Sequence, residues 1–66
     1  MKISLNGETA DARGAQTIAE LVNRYELPPN TVLIEHNGLA LHRKEWNERR
    51  LMEGDRIEVL RVVAGG

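Results

Sequence analysis

The chain of 66 residues has no cysteine, no phenylalanine, one tryptophan, one tyrosine and two prolines. Without cysteine there is no disulfide, no thiolate nucleophile and no thiolate metal site, so the fold must be held by packing alone. A reducing compartment suits such a chain, and a cytoplasmic location is expected. An excess of either charge is lacking too: 9 Lys and Arg face 10 Asp and Glu. Basic residues cluster only at Arg43-Lys44 and Arg49-Arg50. Broad phosphate-backbone binding needs a basic stripe, so no nucleic acid partner is expected. Long apolar runs are missing as well. Met1 to Leu5 alternates polar and apolar and meets Asn6-Gly7 at once, which is neither a signal-peptide core nor a spanning segment. No membrane partner is expected. A single domain of this length buries only about 60 % of the surface its unfolded chain exposes, which leaves little room for an enclosed active site.

What is present is a succession of short elements. Lys2-Ile3-Ser4-Leu5 alternates, Asn6-Gly7 is a two-residue hairpin signal, and Glu8 to Ala12 returns as a second strand. Gly14 breaks the pattern. Thr17-Ile18-Ala19-Glu20 then reads as a capping box, in which the Thr17 hydroxyl and the Glu20 carboxylate satisfy exposed N–H groups at a helix start. Ile18, Leu21, Val22 and Tyr25 form one apolar stripe at helical spacing, and Pro28-Pro29 stops continuation, so the helix is expected to run about three turns. Thr31 to Asn37 is a β-branched run closed by Asn37-Gly38, with Leu39 to Leu41 as the returning strand. Arg43 to Arg50 is polar around Trp46 and too irregular to assign. Glu53-Gly54-Asp55 marks a turn before Arg56 to Val63, the longest strand candidate.

This order predicts an α+β fold: a mixed sheet of four to five strands with one main helix across one face, the β-grasp arrangement. In it the first and last strands lie side by side and parallel at the sheet centre, with the helix in the crossover between them. Ile3, Leu5, Ile57 and Val59 are the inward-pointing residues. Leu60 and Val62 then fall on the opposite, helix-free face, where a docking patch for a partner is one reading and ordinary single exposed apolar side chains the other. Arg61 is the charged residue between them.

The chain closes on Ala64-Gly65-Gly66. Residues 1–63 are expected to form the β-grasp domain and 64–66 a flexible C-terminal tail. Paired glycines contribute nothing to a core. Taken alone they fit either a frayed end or a terminal carboxylate kept slim enough to enter a narrow channel. Three extended residues reach about 10 Å past the last anchored one.

Asn6-Gly7-Glu8, Thr17-Ile18-Ala19-Glu20-Leu21, Ile34-Glu35-His36-Asn37-Gly38, Arg43, Trp46, Leu51, Glu53-Gly54-Asp55-Arg56-Ile57-Glu58 and Ala64-Gly65-Gly66 together resemble the ThiS family, the ubiquitin-like β-grasp sulfur carriers of thiamine biosynthesis. The resemblance spans the whole chain. Each piece is common by itself; their order, spacing and the terminal diglycine are what make the likeness specific. It implies a carrier and not an enzyme, with no bound cofactor. An E1-like, ThiF-like adenylating enzyme that uses Mg-ATP would activate the Gly66 carboxylate. A donor such as a cysteine desulfurase would supply sulfur, and a ThiG-like thiazole synthase would receive it from the Gly66 thiocarboxylate. Gly65 would let the tail thread, Ala64 would continue the slim tether, and Leu60, Val62 and Arg61 would meet the partner.

His36 departs from the family pattern, which more usually has an aliphatic residue there. Its alternation with Val32 and Ile34 turns it to the helix side, where a neutral, hydrogen-bonded imidazole is expected. His36 and His42, six apart across a turn with no cysteine and no third ligand in view, make a poor zinc site, and no metal is expected. Trp46 is expected to pack in the core or at its edge, with capping of the second hairpin as the other reading. Three other functions fit the same outline. One is the small subunit of molybdopterin synthase, another sulfur carrier ending in Gly-Gly. A second is a ubiquitin-like modifier joined to lysine through its terminal glycine, and a third is a stand-alone RNA- or ligand-binding module.

Overall fold

A computed structural model of the protein describes residues 1–61. Strand β1 (Lys2–Leu5) turns through Asn6-Gly7 into β2 (Glu8–Asp11), and β3 (Val32–His36) turns through Asn37-Gly38 into β4 (Leu39–Leu41). Both turns need two successive residues at positive φ. Asn6 and Gly7 take +51° and +84°, and Asn37 and Gly38 take +52° and +87°, the backbone of the type I′ hairpins read from the sequence. Between the hairpins lies helix α1 (Ile18–Arg24). A 3₁₀ turn at Arg43–Glu45 precedes the last strand, β5 (Arg56–Arg61).

The five strands lie in the order β2-β1-β5-β3-β4. Strands β1 and β5 are parallel neighbours, with Ser4 opposite Arg56 and Leu5 opposite Ile57, and every other pairing is antiparallel. This is the ubiquitin-like β-grasp. The helix closes the core over one face, where Ile3, Ile18, Leu21, Ile34, Trp46 and Ile57 are buried, and Leu5 and Val59 pack half-buried against them. Each full burial of an aliphatic side chain of this size contributes about 1.5–3 kcal/mol. Leu51 and the chain before it clamp the helix start: the Ile18 N–H donates to the Arg49 carbonyl and the Leu51 N–H to the Gln16 carbonyl.

The helix departs from the expected form at both ends. Thr17 Oγ1 accepts from the Glu20 N–H as a capping box requires, but the Glu20 carboxylate reaches one residue further back and accepts from the Gln16 N–H at 2.8 Å. At the other end α1 stops after seven residues, short of the three turns expected, and Tyr25 is its C-cap and not its last stripe position. The reason is local. The Leu27 N–H bonds the Val22 carbonyl and the Glu26 N–H bonds the Asn23 carbonyl, a Schellman motif that ends the helix before Pro28 is reached. Tyr25 is held instead by its hydroxyl, which donates to the Asp11 carbonyl at 2.6 Å, with the Arg13 guanidinium over its ring.

The motif places Glu26 at φ +53°, where a Cβ is strained. Glu26→Gly is therefore expected to stabilise the fold by about 0.5–1 kcal/mol, the relief of strain exceeding glycine's extra unfolded-state entropy. Urea or thermal unfolding checks this. A lower melting temperature in the variant would mean that the side chain stabilises the motif more than the strain costs.

Candidate functional site

Strand β5 organises everything near the C-terminus. It is flanked on one side by β1 and on the other by β3, along which it pairs from Val32–Arg61 to His36–Ile57. Two asparagine side chains from the hairpin turns extend this anchoring. Asn6 Oδ1 accepts from the Val59 N–H at 2.7 Å, and Asn37 Oδ1 accepts from the Arg56 N–H at 2.8 Å. Each turn asparagine thus does two tasks, adopting the left-handed conformation and holding the central strand. The strand is thus bonded on both sides as far as Val59, and its last two residues, Leu60 and Arg61, pair with β3.

Gly66, Gly65, Ala64 and Val62 lie outside the described residues. The other two candidate positions lie on opposite faces of β5. Leu60 is 48 % exposed on the helix-free face. Arg61 pairs with Val32, whose side chain is buried under the helix, so alternation turns Arg61 to the helix side of the sheet. A residue that sequence reasoning passed over joins Leu60: Leu33 lies directly opposite it on β3 and is 54 % exposed. The signal was the unbroken apolar run Val32-Leu33-Ile34, which forces one of the three onto the solvent face. The next pair along this face is Glu35 opposite Glu58.

At the N-terminal end of β5 a polar cluster pins the strand's entry. His36 is buried, and its Nε2 lies 2.7 Å from Asp55 Oδ2 while its Nδ1 accepts from Arg49 Nε at 3.0 Å. One ring nitrogen donating and the other accepting is the bonding of a neutral imidazole, as the strand alternation led us to expect. Both nitrogens are engaged, so His36 has none left for a metal. Asp55 also accepts from the Met52 N–H and from Asn37 Nδ2. Burial pushes its carboxyl upward, but the hydrogen bonds from His36, Met52 and Asn37 outweigh this and hold it below its ordinary value of 3.8. Gly54-Asp55 reads from sequence only as a turn, because His36 and Arg49 are brought to it by the tertiary fold.

A groove of about 370 Å³ lies on the helix side, lined by Val22, Leu27, Pro29, Arg43 and Trp46 among others. Trp46 is a core residue, and the Arg43 guanidinium lies 5.7 Å from its ring centroid. Its indole N–H has no acceptor among the described residues.

The C-terminal residues follow in sequence on this central strand, whose exposed Leu60 lies opposite the exposed Leu33. Residues 3–66 match the family model described as the ThiS family. The chain belongs to the ThiS family. The sulfur carrier protein ThiS of Escherichia coli is 26 % identical over 66 residues, with both chains covered in full. A thiazole synthase of Magnetococcus marinus is 35 % identical over the same span, and the chain covers only 20 % of that protein's length. The crystal structure of the thiamine biosynthesis protein ThiS from Geobacter metallireducens superposes with a TM-score of 0.86 at 28 % identity, both chains being covered completely. The ThiS fold therefore extends over the described part of the chain, His36 included.

Proposed function

We propose that this ThiS-family protein is a sulfur carrier for thiazole formation in thiamine biosynthesis, with the Gly66 carboxylate as its working group. The observation that carries the proposal is the family match, which runs through residue 66 and so includes the terminal Ala-Gly-Gly. A bare carboxylate does not accept sulfur, because oxide is a prohibitive leaving group. The chain's terminus must first be joined to AMP by a partner that consumes Mg-ATP and releases pyrophosphate. Sulfur, ultimately from a cysteine desulfurase or a similar donor, then replaces the adenylate. The resulting thiocarboxylate is ionised and nucleophilic at neutral pH and can be passed to a thiazole synthase. In this scheme the chain is a co-substrate. Its own contributions are a rigid strand that sets the tail's origin, glycines that leave the reacting carbonyl uncrowded, and a face for docking.

The match to one fifth of a protein named thiazole synthase supports an acceptor of that kind. The decisive test is an intact-mass measurement after incubation with Mg-ATP, a sulfur donor and the adenylating enzyme of the same organism. Replacement of one oxygen by sulfur, located on Gly66 by fragmentation, is the expected result. An unchanged mass, with the enzyme shown active on another carrier, would reject the proposal.

Docking is proposed for the helix-free face at Leu60; Arg61, which alternation turns to the opposite face, is not part of that patch. Leu60→Asp is expected to raise KM for adenylation about tenfold while leaving kcat near the parent value, since it touches encounter and not chemistry. Unchanged adenylation kinetics in a folded Leu60→Asp protein would remove this face from the scheme.

A further inference from the structure

The groove on the helix side combines three features that the sulfur-carrier scheme does not use. Its walls are apolar, with Val22, Leu27 and Pro29 beside the Trp46 ring. Its volume of about 370 Å³ falls in the range of pockets that take small molecules, about 300–1,000 Å³. Trp46 is only 5 % exposed, and its indole N–H is a buried donor with no acceptor among the described residues. A buried donor left unmet is a cost that the fold bears until an acceptor is supplied. Arg43 lines the same groove, with its guanidinium 5.7 Å from the Trp46 ring centroid. Among the described residues no carboxylate lies within ion-pair distance of it, the one such pair being His36 with Asp55. Glu26, the other charged residue of the lining, is unpaired in the same sense.

We infer that this groove is a binding site for a small monocarboxylate with an apolar body. The body lies against Val22, Leu27, Pro29 and the indole ring. The carboxylate accepts from the Arg43 guanidinium and from the Trp46 N–H, which are near enough to each other for one carboxylate to meet both. A neutral apolar molecule would leave the guanidinium and the N–H unanswered, and a short polar anion would leave the walls in water. A phosphate ester or a dicarboxylate brings a second negative charge, which Glu26 repels. The inference does not rest on the proposed function. It concerns the chain alone, and a ligand on the helix side leaves the face at Leu60 open.

The test is a titration of the full chain with octanoate, which has an eight-carbon body and one carboxylate. Trp46 is the chain's one tryptophan, so its fluorescence and its single indole N–H proton resonance both report on the groove directly. Saturable binding is expected with a dissociation constant of about 1 mM or below, together with a downfield shift of the indole N–H as it gains an acceptor. Acetate, which lacks the body, and octan-1-ol, which lacks the charge, are each expected to bind at least about tenfold more weakly. Arg43 is exposed, so Arg43→Gln should fold as the parent does, and it is expected to weaken octanoate about tenfold. Glu26→Gln is expected to strengthen it about twofold by removing a repelling charge. A signal that rises without saturating to about 10 mM would overturn the inference. So would octanoate binding that leaves the indole N–H unmoved, or equal affinity in parent and Arg43→Gln. Octanoate affinity that fails to rise in Glu26→Gln would overturn the choice of a monocarboxylate, since the groove would then suit a zwitterion that uses both charges.

Discussion

Gly66→Ala should fold as the parent does and lose at least about a hundredfold in the rate of thiocarboxylation. Gly66 lies outside the described residues, and a glycine brings no side chain to a core. The effect of the substitution is therefore expected in chemistry and not in stability. A methyl group on the carbon next to the reacting carbonyl widens the one part of the chain that has to enter a partner's site. In a channel that admits only glycine, that methyl group would displace the carbonyl from the attacking group. A misplacement of about 1 Å at a reacting centre is enough for a loss of about a hundredfold, equivalent to about 2.7 kcal/mol of barrier. Intact-mass kinetics with the adenylating enzyme measure the rate, and thermal unfolding checks the fold. Thiocarboxylation of the variant at the parent rate would show that the terminal glycine is not selected for access, and the proposed function would lose its central residue.

The largest expected effect on stability lies at Asp55. Its carboxylate accepts from His36 Nε2, Asn37 Nδ2 and the Met52 N–H, and so ties β3, the β3–β4 turn and the turn before β5 into one unit. Asp55→Ala strands the buried His36 N–H without an acceptor and frees the turn. The expected cost is about 3 kcal/mol, and with it a fall in melting temperature of more than about 10 °C. A pH dependence accompanies it. Because the folded-state value of Asp55 is depressed, its contribution is fully present above its ordinary value of 3.8 and is lost as pH falls through the lower folded value. The acid limb of a urea-unfolding profile should therefore be shallower in Asp55→Asn than in the parent. Superimposable acid limbs would mean that other carboxylates govern acid unfolding, and a melting temperature within a degree or two of the parent in Asp55→Ala would reject the network as a structural anchor.

The two hairpins were legible because their signals are local and steric. An Asn-Gly pair between alternating segments has one favourable turn to adopt, and both pairs adopt it. Helix α1 was legible in position, since Thr17 and the Ile18, Leu21, Val22 spacing mark its start and buried side. Its length was not, because a Schellman stop built on a glutamate in the left-handed region carries no glycine to announce it. Leu60 was placed on the helix-free face by alternation alone. The Glu35–Glu58 and Leu33–Leu60 pairs were not visible, since they depend on the register between β3 and β5, strands separated by 19 residues of other structure.

The sequence by itself determined the class of fold, the hairpin turns, the inward faces of β1, β3 and β5 and the likeness to the ThiS family. Each of these follows from side-chain periodicity, from backbone preference at one or two residues, or from motifs in order along the chain. Only the tertiary structure decided which faces meet across strands, that His36 joins Asp55 and Arg49, and that two glutamates and two leucines share one exposed surface. Those outcomes are set by the parallel crossover that seats β5 between β1 and β3, which brings together residues far apart in the chain whose local sequences contain no trace of one another.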